Sequence, residues 1–427
     1  MENELAELTR NELAELCKSK KIKGYSNKCK KDLITLLEKT SNETSNEIKE
    51  CTKKNFGQFY TTNSEYILEG FQKPPSDIKI IIEPFAGNKD ISNWIQKEYT
   101  ESKEHEEYKD ISILLYDIDP KFDDIIRQDT LLNPPNYEDN WVITNPPFLA
   151  RNKSQSKDLY DLYDTNDLYK CFIKSLIDKN CRGGILIIPV GFFLSNREND
   201  FKLRDAFMKK YQITKIKYFE ETVFEDTSTS VVAFSFIRFD STRAEPSSKP
   251  LGPNRAEPSG KPLGSGVERK EQIVEWNIQP KNLTFHFKMS SENSWIVGGD
   301  IYNLPSSKSI KRYVQGYKLS DGEQQLFITL DALDSGREGG RLCCKYQKDY
   351  VYPAKDSSRS YATLILIGKT LSEQEQIELC EKFNTFIEKK REETYSLFLP
   401  QFRESKEYSR KRIPFDLAYR IISYLIN

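Results

Sequence analysis

Residues 141–150 read WVITNPPFLA: an apolar strand leaves through Asn145, crosses Pro146 and Pro147, and finishes on Phe148, an aromatic expected to be exposed at the strand mouth. The side-chain amide oxygen of Asn145 and the main-chain carbonyl of Pro146 are two acceptors that a rigid Pro-Pro turn can aim at one point. Both hydrogens of a planar –NH₂ group fit there. The exocyclic nitrogen of adenine is such a group, and a poor nucleophile, because its lone pair is delocalised into the ring. Holding its hydrogens out of plane would localise that pair toward an incoming electrophile, through orientation and electrostatic preorganisation. Phe148 would stack on the ring, which must leave a duplex to be reached. Taken alone, NPPF reads first as an ordinary proline-bounded turn.

Further acids and small residues stand at the ends of other apolar runs. IIEPFAGNKD (81–90) puts Glu83 at a strand end, then Phe85 and Gly87 in a small-residue turn before a helix start with free N–H groups. LLYDIDP (114–120) ends on Asp117, where α/β nucleotide binders place a carboxylate that accepts from ribose hydroxyls. Asp129 in RQDTLL is positioned to end a third strand and accept from an adenine amino group, or to cap a helix. These ends must be held by the runs IKIIIEPF, ISILLYDID, WVITNPPF, GGILIIPV and SVVAFSFIRF, which alternate with helical patterns. That alternation predicts an α/β fold with a mainly parallel sheet covered by helices and ligands beyond the carboxyl ends of its strands.

The chain has 427 residues, 37% of them hydrophobic, which suggests two or three domains. It has no run of eighteen apolar residues and no secretory start, so a soluble intracellular protein, cytoplasmic or nuclear, is expected. Eight cysteines form no C-x-x-C pair and read as reduced thiols, and two histidines leave little material for a histidine triad or metal site. A net charge of −1 argues against a surface wrapped in nucleic acid throughout. Locally, CKSKKIKGYSNKCKK (17–31) holds seven lysines and no acid, among them Lys28, Lys30 and Lys31, a patch able to displace counterions from a phosphate backbone or simply a solvated face. Thr9 with Glu12 has the spacing of a capping box, and Leu13, Leu16, Leu33, Ile34, Leu36 and Leu37 supply the inner faces of two helices. Residues 40–54 read as a linker, and the near-copies RAEPSSKPLGPN and RAEPSGKPLGSG make 241–270 a flexible tether.

Two resemblances follow. Residues 5–39, with leucines in the first helix, a GYS turn and KDLITLL in the second, resemble the SAP domain, which implies DNA affinity through the backbone. Residues 55–240 resemble the S-adenosylmethionine-dependent adenine-N6 DNA methyltransferases of NPPF type. By that resemblance FGQFYTT (56–62) holds the methionine part of the cofactor through Phe59, Tyr60 and Thr61. Glu83, Phe85 and Gly87 match the E-P-F-A-G turn, Asp117 the ribose acid with Ile118 beside the adenine, and Asp129 the third-strand acid. Asn145, Pro146, Pro147 and Phe148 match the catalytic motif. TVFEDTSTSVVAFSFIRF (222–239) looks like the late hairpin whose aromatic, here Phe224, packs against the flipped base. The implied architecture is a Rossmann-like methyltransferase domain at 55–240, preceded by the small helical domain and followed by an α+β target-recognition domain at 271–427. The implied partner is double-stranded DNA, in a restriction-modification setting, with no metal.

Two positions depart from the family pattern. Lys89 stands where a second glycine is usual in F-A-G-x-G, and Thr62 where a proline follows the threonine. In the C-terminal region Arg337 and Arg341 of DSGREGGRLCCKY are candidates for phosphates or guanine edges, or members of a surface hairpin. RNA adenine, cytosine N4 and a protein glutamine amide pose the same chemical problem as DNA adenine. A non-catalytic DNA-binding scaffold with a decayed pocket is the alternative of a different class.

Overall fold

A computed structural model of the chain describes residues 9–19, 29–35, 37, 57, 59, 61–100, 110–224, 229–239, 270–334, 341–352, 359–404 and 409–427. The 40–54 linker, nearly all of the 241–270 tether, Tyr60, Lys28 and Arg337 lie outside these residues.

Strands β1 (Ile80–Glu83), β2 (Ser112–Asp117), β3 (Ile126–Arg127), β4 (Trp141–Thr144), β5 (Gly183–Pro189), β6 (Tyr211–Phe219), β7 (Val231–Arg238), β8 (Glu271–Gln279) and β9 (Leu283–Ser290) form one sheet in the order β3-β2-β1-β4-β5-β7-β6-β8-β9. The first five are parallel to one another, and β7 runs antiparallel between β5 and β6. This is the expected Rossmann-like α/β arrangement. Chain order reverses between β1 and β4, so the crevice for a ligand lies beyond Glu83 and Thr144.

Burial explains why these runs are strands. All four residues of β4 and six of seven in β5 are buried, the mark of a strand covered on both faces. Each fully buried Ile or Val contributes about 1.5–3 kcal/mol. Glycine sets the spacing of these two strands: a Cβ on Gly184 would lie 1.9 Å from the Val142 carbonyl oxygen.

Two expectations about this region need correction. The sheet does not close before the tether, because β8 from beyond it pairs in parallel with β6, Ile216 opposite Trp276, and buries Val274, Trp276 and Ile278. A boundary at 271 therefore cuts through a sheet; polar chain between paired strands hides that pairing from the sequence. The late hairpin is also not contained in 222–239. It consists of β6 and β7, with Phe224 on their connection.

The C-terminal region has its own core around a four-stranded antiparallel sheet, β10 (Ile310–Tyr313), β11 (Glu323–Asp331), β12 (Cys343–Tyr346) and β13 (Tyr361–Ile367). A long helix, Glu373–Thr394, begins at a Ser372–Glu375 capping box, and the last helix, Phe415–Ile426, buries Leu417, Ala418, Ile421 and Ile422. In the N-terminal segment, the helix Arg10–Ser19 is capped reciprocally by Thr9 and Glu12, and Leu13, Cys17, Leu33 and Leu37 form a small core. Among the described residues no helix is long and apolar enough to cross a membrane.

Candidate active site

Asn145 leaves β4 at the switch point, 8% exposed, and its amide is oriented by what surrounds it. The Nδ2 group donates to the Phe59 carbonyl at 2.8 Å and to Thr61 Oγ1 at 3.2 Å. A flipped amide would set Oδ1 against the Phe59 carbonyl, two acceptors with no proton between them. Oδ1 thus takes the other side, where it is buried without a hydrogen bond. A buried acceptor left unpaired is costly, on the order of 1–3 kcal/mol, and marks a place where a donor belongs.

The turn is clamped on both sides. Phe148 N–H donates to the Gly57 carbonyl at 2.9 Å, and Gly57 has φ 64°, with a hypothetical Cβ only 2.7 Å from the Phe148 oxygen. Leu149 N–H donates to Asp167 Oδ1 at 3.1 Å, while the Leu149 carbonyl accepts from Tyr160 Oη at 2.9 Å. Burial pushes the Asp167 carboxyl up to about 6, against the opposing pull of Lys170 and of the Leu149 N–H.

A cavity of about 490 Å³ opens beside Asn145. Of the residues singled out in the sequence, Phe59, Phe85, Gly87, Asp117, Ile118, Asp129, Asn145 and Pro147 line it. Asp117 is held by backbone donors: Gly87 N–H to Oδ2 at 2.9 Å and Asp119 N–H to Oδ1 at 2.8 Å. Asp129 Oδ1 accepts from the N–H groups of Leu131 and Leu132 in a turn at the cavity wall, where no helix follows for it to cap. Glu83 and Thr61 border a smaller adjoining space together with Asn145. Glu83 is 1% exposed, its Oε2 has no hydrogen bond, and burial drives its carboxyl well above the ordinary range despite a bond from Ser92. Glu83 and Asn145, each with one buried side-chain oxygen lacking a hydrogen bond, therefore border one small space.

Phe148 is not the exposed aromatic expected from the sequence. It is 8% exposed, with ring centroids 5.7 Å from Phe59, 6.2 Å from Tyr169 and 6.4 Å from Phe224, which is itself 2% exposed. Aromatic rings supplied by three other segments cover it, which no local pattern announces. Lys30 and Lys31 are exposed on the N-terminal helical segment. Arg341 is paired with Glu388 at 3.1 Å. Lys89 adopts φ 67° and sends Nζ to Asp124 Oδ2 at 2.5 Å; it lines neither space.

The sequence reading missed the far wall of the cavity, Gln128, Leu131, Ser154, Gln155, Ser156, Leu159, Tyr160 and Leu168, together with Gly57 and Asp167 as supports of the turn. The only local signal for Ser154–Ser156 is a polar run shortly after NPPF, indistinguishable from a surface loop.

No curated protein matches the chain significantly. Among solved structures it is similar to the methyltransferase subunit of a type I restriction-modification system from Streptococcus thermophilus, at 12% identity over 52% of this chain and 48% of that one, TM-score 0.34. It is similar also to the M protein of type I restriction enzyme EcoKI, at 13% identity over 38% and 40%, TM-score 0.29. A third is the DrdV–DNA complex, at 13% identity over 72% and 38%, TM-score 0.37. The chain spans less than half the length of each. Residues 76–248, which carry Glu83, Asp117, Asn145 and Phe224, match the family described as N-6 DNA Methylase.

Proposed function

We propose that the chain is an S-adenosylmethionine-dependent DNA methyltransferase acting on the N6 amino group of adenine. The observation that carries this reading is the fixed Asn145 amide, whose Oδ1 faces away from its two anchors and lacks a donor. An amino group entering the cavity would bring N–H donors that satisfy it. With the Pro146 carbonyl as second acceptor, the turn would hold both hydrogens of an amino group and aim its lone pair into the cavity.

The residues present fit the cofactor. Asp117, set by two backbone N–H groups, would accept from the ribose hydroxyls; Ile118 and Pro147 supply apolar surface for the adenine, and Asp129 an acceptor for its amino group. Glu83, buried and unpaired at Oε2, fits the positive end of the molecule, where a cation would offset the burial that raises its carboxyl. When bound, S-adenosylmethionine supplies the methyl group. The residues of the chain would orient the amine by accepting its two hydrogens on the Asn145 and Pro146 oxygens, and the proton it gives up on methylation would pass to solvent. Phe148 and Phe224 would contact the base; their rings now stand edge to face, 6.4 Å between centroids, and a base entering between them would part them.

Duplex DNA as substrate, gripped by Lys28, Lys30 and Lys31 in a SAP-like segment and read by the C-terminal region, extends this proposal beyond the catalytic turn. A decayed scaffold is disfavoured by Lys89, whose side chain is bound at Asp124 outside the cavity. Incubation with labelled S-adenosylmethionine and duplex DNA, followed by nucleoside analysis, should yield N6-methyladenine. Label in RNA, in cytosine or in protein would reassign the substrate, and no label with any of them would refute the enzyme reading.

A further inference from the structure

We propose that Lys89 is a positioning residue that latches the two lips of the cofactor cavity together, a role that rests on the cofactor reading above. One lip is the turn Ala86–Lys89, the other the loop from Ile118 to Asp124 that follows β2. Their bases are tied by Ala86 N–H to the Tyr116 carbonyl at 2.8 Å and by Gly87 N–H to Asp117 Oδ2. The outer end of the loop has two links back to the turn. Lys89 Nζ meets Asp124 Oδ2 at 2.5 Å and stands 5.5 Å over the Phe122 ring, and Lys121 Nζ donates to Asn88 Oδ1 at 2.6 Å.

The backbone at Lys89 makes this side chain informative. Its φ of 67° is a left-handed conformation that favours glycine, and it precedes the helix Asp90–Ile95, whose Asn93 N–H bonds the Lys89 carbonyl. Glycine would fit this backbone with less strain. The strained lysine gains two partners on the opposite lip, and Ile118, part of the cavity wall, sits on the loop so restrained. An ion pair alone at an exposed site contributes little. Here the ammonium, the ring and the Lys121 contact act on one short loop, so the effect should be read in cofactor affinity, where loop ordering counts.

The test is calorimetric binding of S-adenosylhomocysteine to the full chain, for the wild type and for Lys89→Met, Lys89→Gly, Lys89→Arg, Asp124→Asn and the double variant Lys89→Met/Asp124→Asn. Lys89→Met and Asp124→Asn should each weaken binding about three- to five-fold, the double variant no more than either alone, and Lys89→Arg should restore most of the affinity. KM for S-adenosylmethionine should rise with kcat unchanged. Lys89→Gly should melt at a higher temperature than Lys89→Met yet bind as weakly. Unchanged or tighter binding by Lys89→Met would overturn the latch while leaving the cofactor reading intact. A wild type that binds no S-adenosylhomocysteine would overturn both.

Discussion

Asn145→Asp keeps the shape of the side chain and removes its N–H donors, so it isolates what the amide anchors contribute. In the native turn Nδ2 makes two hydrogen bonds, to the Phe59 carbonyl at 2.8 Å and to Thr61 Oγ1 at 3.2 Å, at a residue 8% exposed. An aspartate recovers one of them, since the Thr61 hydroxyl can turn to donate. The other becomes a carboxylate oxygen facing a carbonyl oxygen, both out of water. One lost bond at about 1 kcal/mol and one stranded carbonyl at about 1–3 kcal/mol give a loss of roughly 2–4 kcal/mol at neutral pH, before any charge burial. The introduced carboxyl would titrate above its unfolded value because burial penalises its charge. Relative to the wild type, the variant should therefore lose stability as pH rises from about 4 toward the folded pKa, and be best tolerated in acid, where a protonated carboxyl again donates. Urea unfolding of both proteins at pH 5 and pH 7.5 measures this, and methyl transfer should fall about 10²–10³-fold, as for a lost preorganised contact. Equal midpoints at both pH values together with retained transfer would refute the anchoring and the catalytic assignment.

Gly57→Ala should lower methyl transfer at least about ten-fold and destabilise by about 1–3 kcal/mol, because the new methyl meets the Phe148 carbonyl at a positive φ; initial rates and thermal melts check it. Asp167, raised to about 6, keeps in the folded state a proton that the unfolded chain releases near 4. Its contribution to stability falls as pH rises through that window, and Asp167→Asn should flatten the slope by about 2–3 kcal/mol in unfolding free energy measured between pH 4 and 7. Phe224→Ala, uncovering Phe148, should weaken the KM for DNA more than the binding of S-adenosylhomocysteine, measured side by side. Removal of residues 1–40 should weaken DNA retention and reduce its salt dependence while leaving the methylated sequence unchanged, read by filter binding at several salt concentrations.

The sequence by itself determined five strands of the first sheet, β1, β2, β4, β5 and β7, while β3, β6, β8 and β9 carry no comparable apolar run. Short apolar runs bounded by turn residues read as strands, and the polar residues that terminate them, Glu83, Asp117 and Asn145, come together at one edge because parallel strands share a direction. The tertiary structure decided what the local pattern does not encode. Whether Phe148 is exposed depends on Phe59, Tyr169 and Phe224, three segments distant in sequence, and whether β8 belongs to the first sheet depends on a pairing with β6 across the tether. The direction in which Asn145 offers its oxygen was settled by a carbonyl and a hydroxyl more than eighty residues away. A side-chain amide is nearly symmetric in shape, so only its hydrogen-bond partners break the tie.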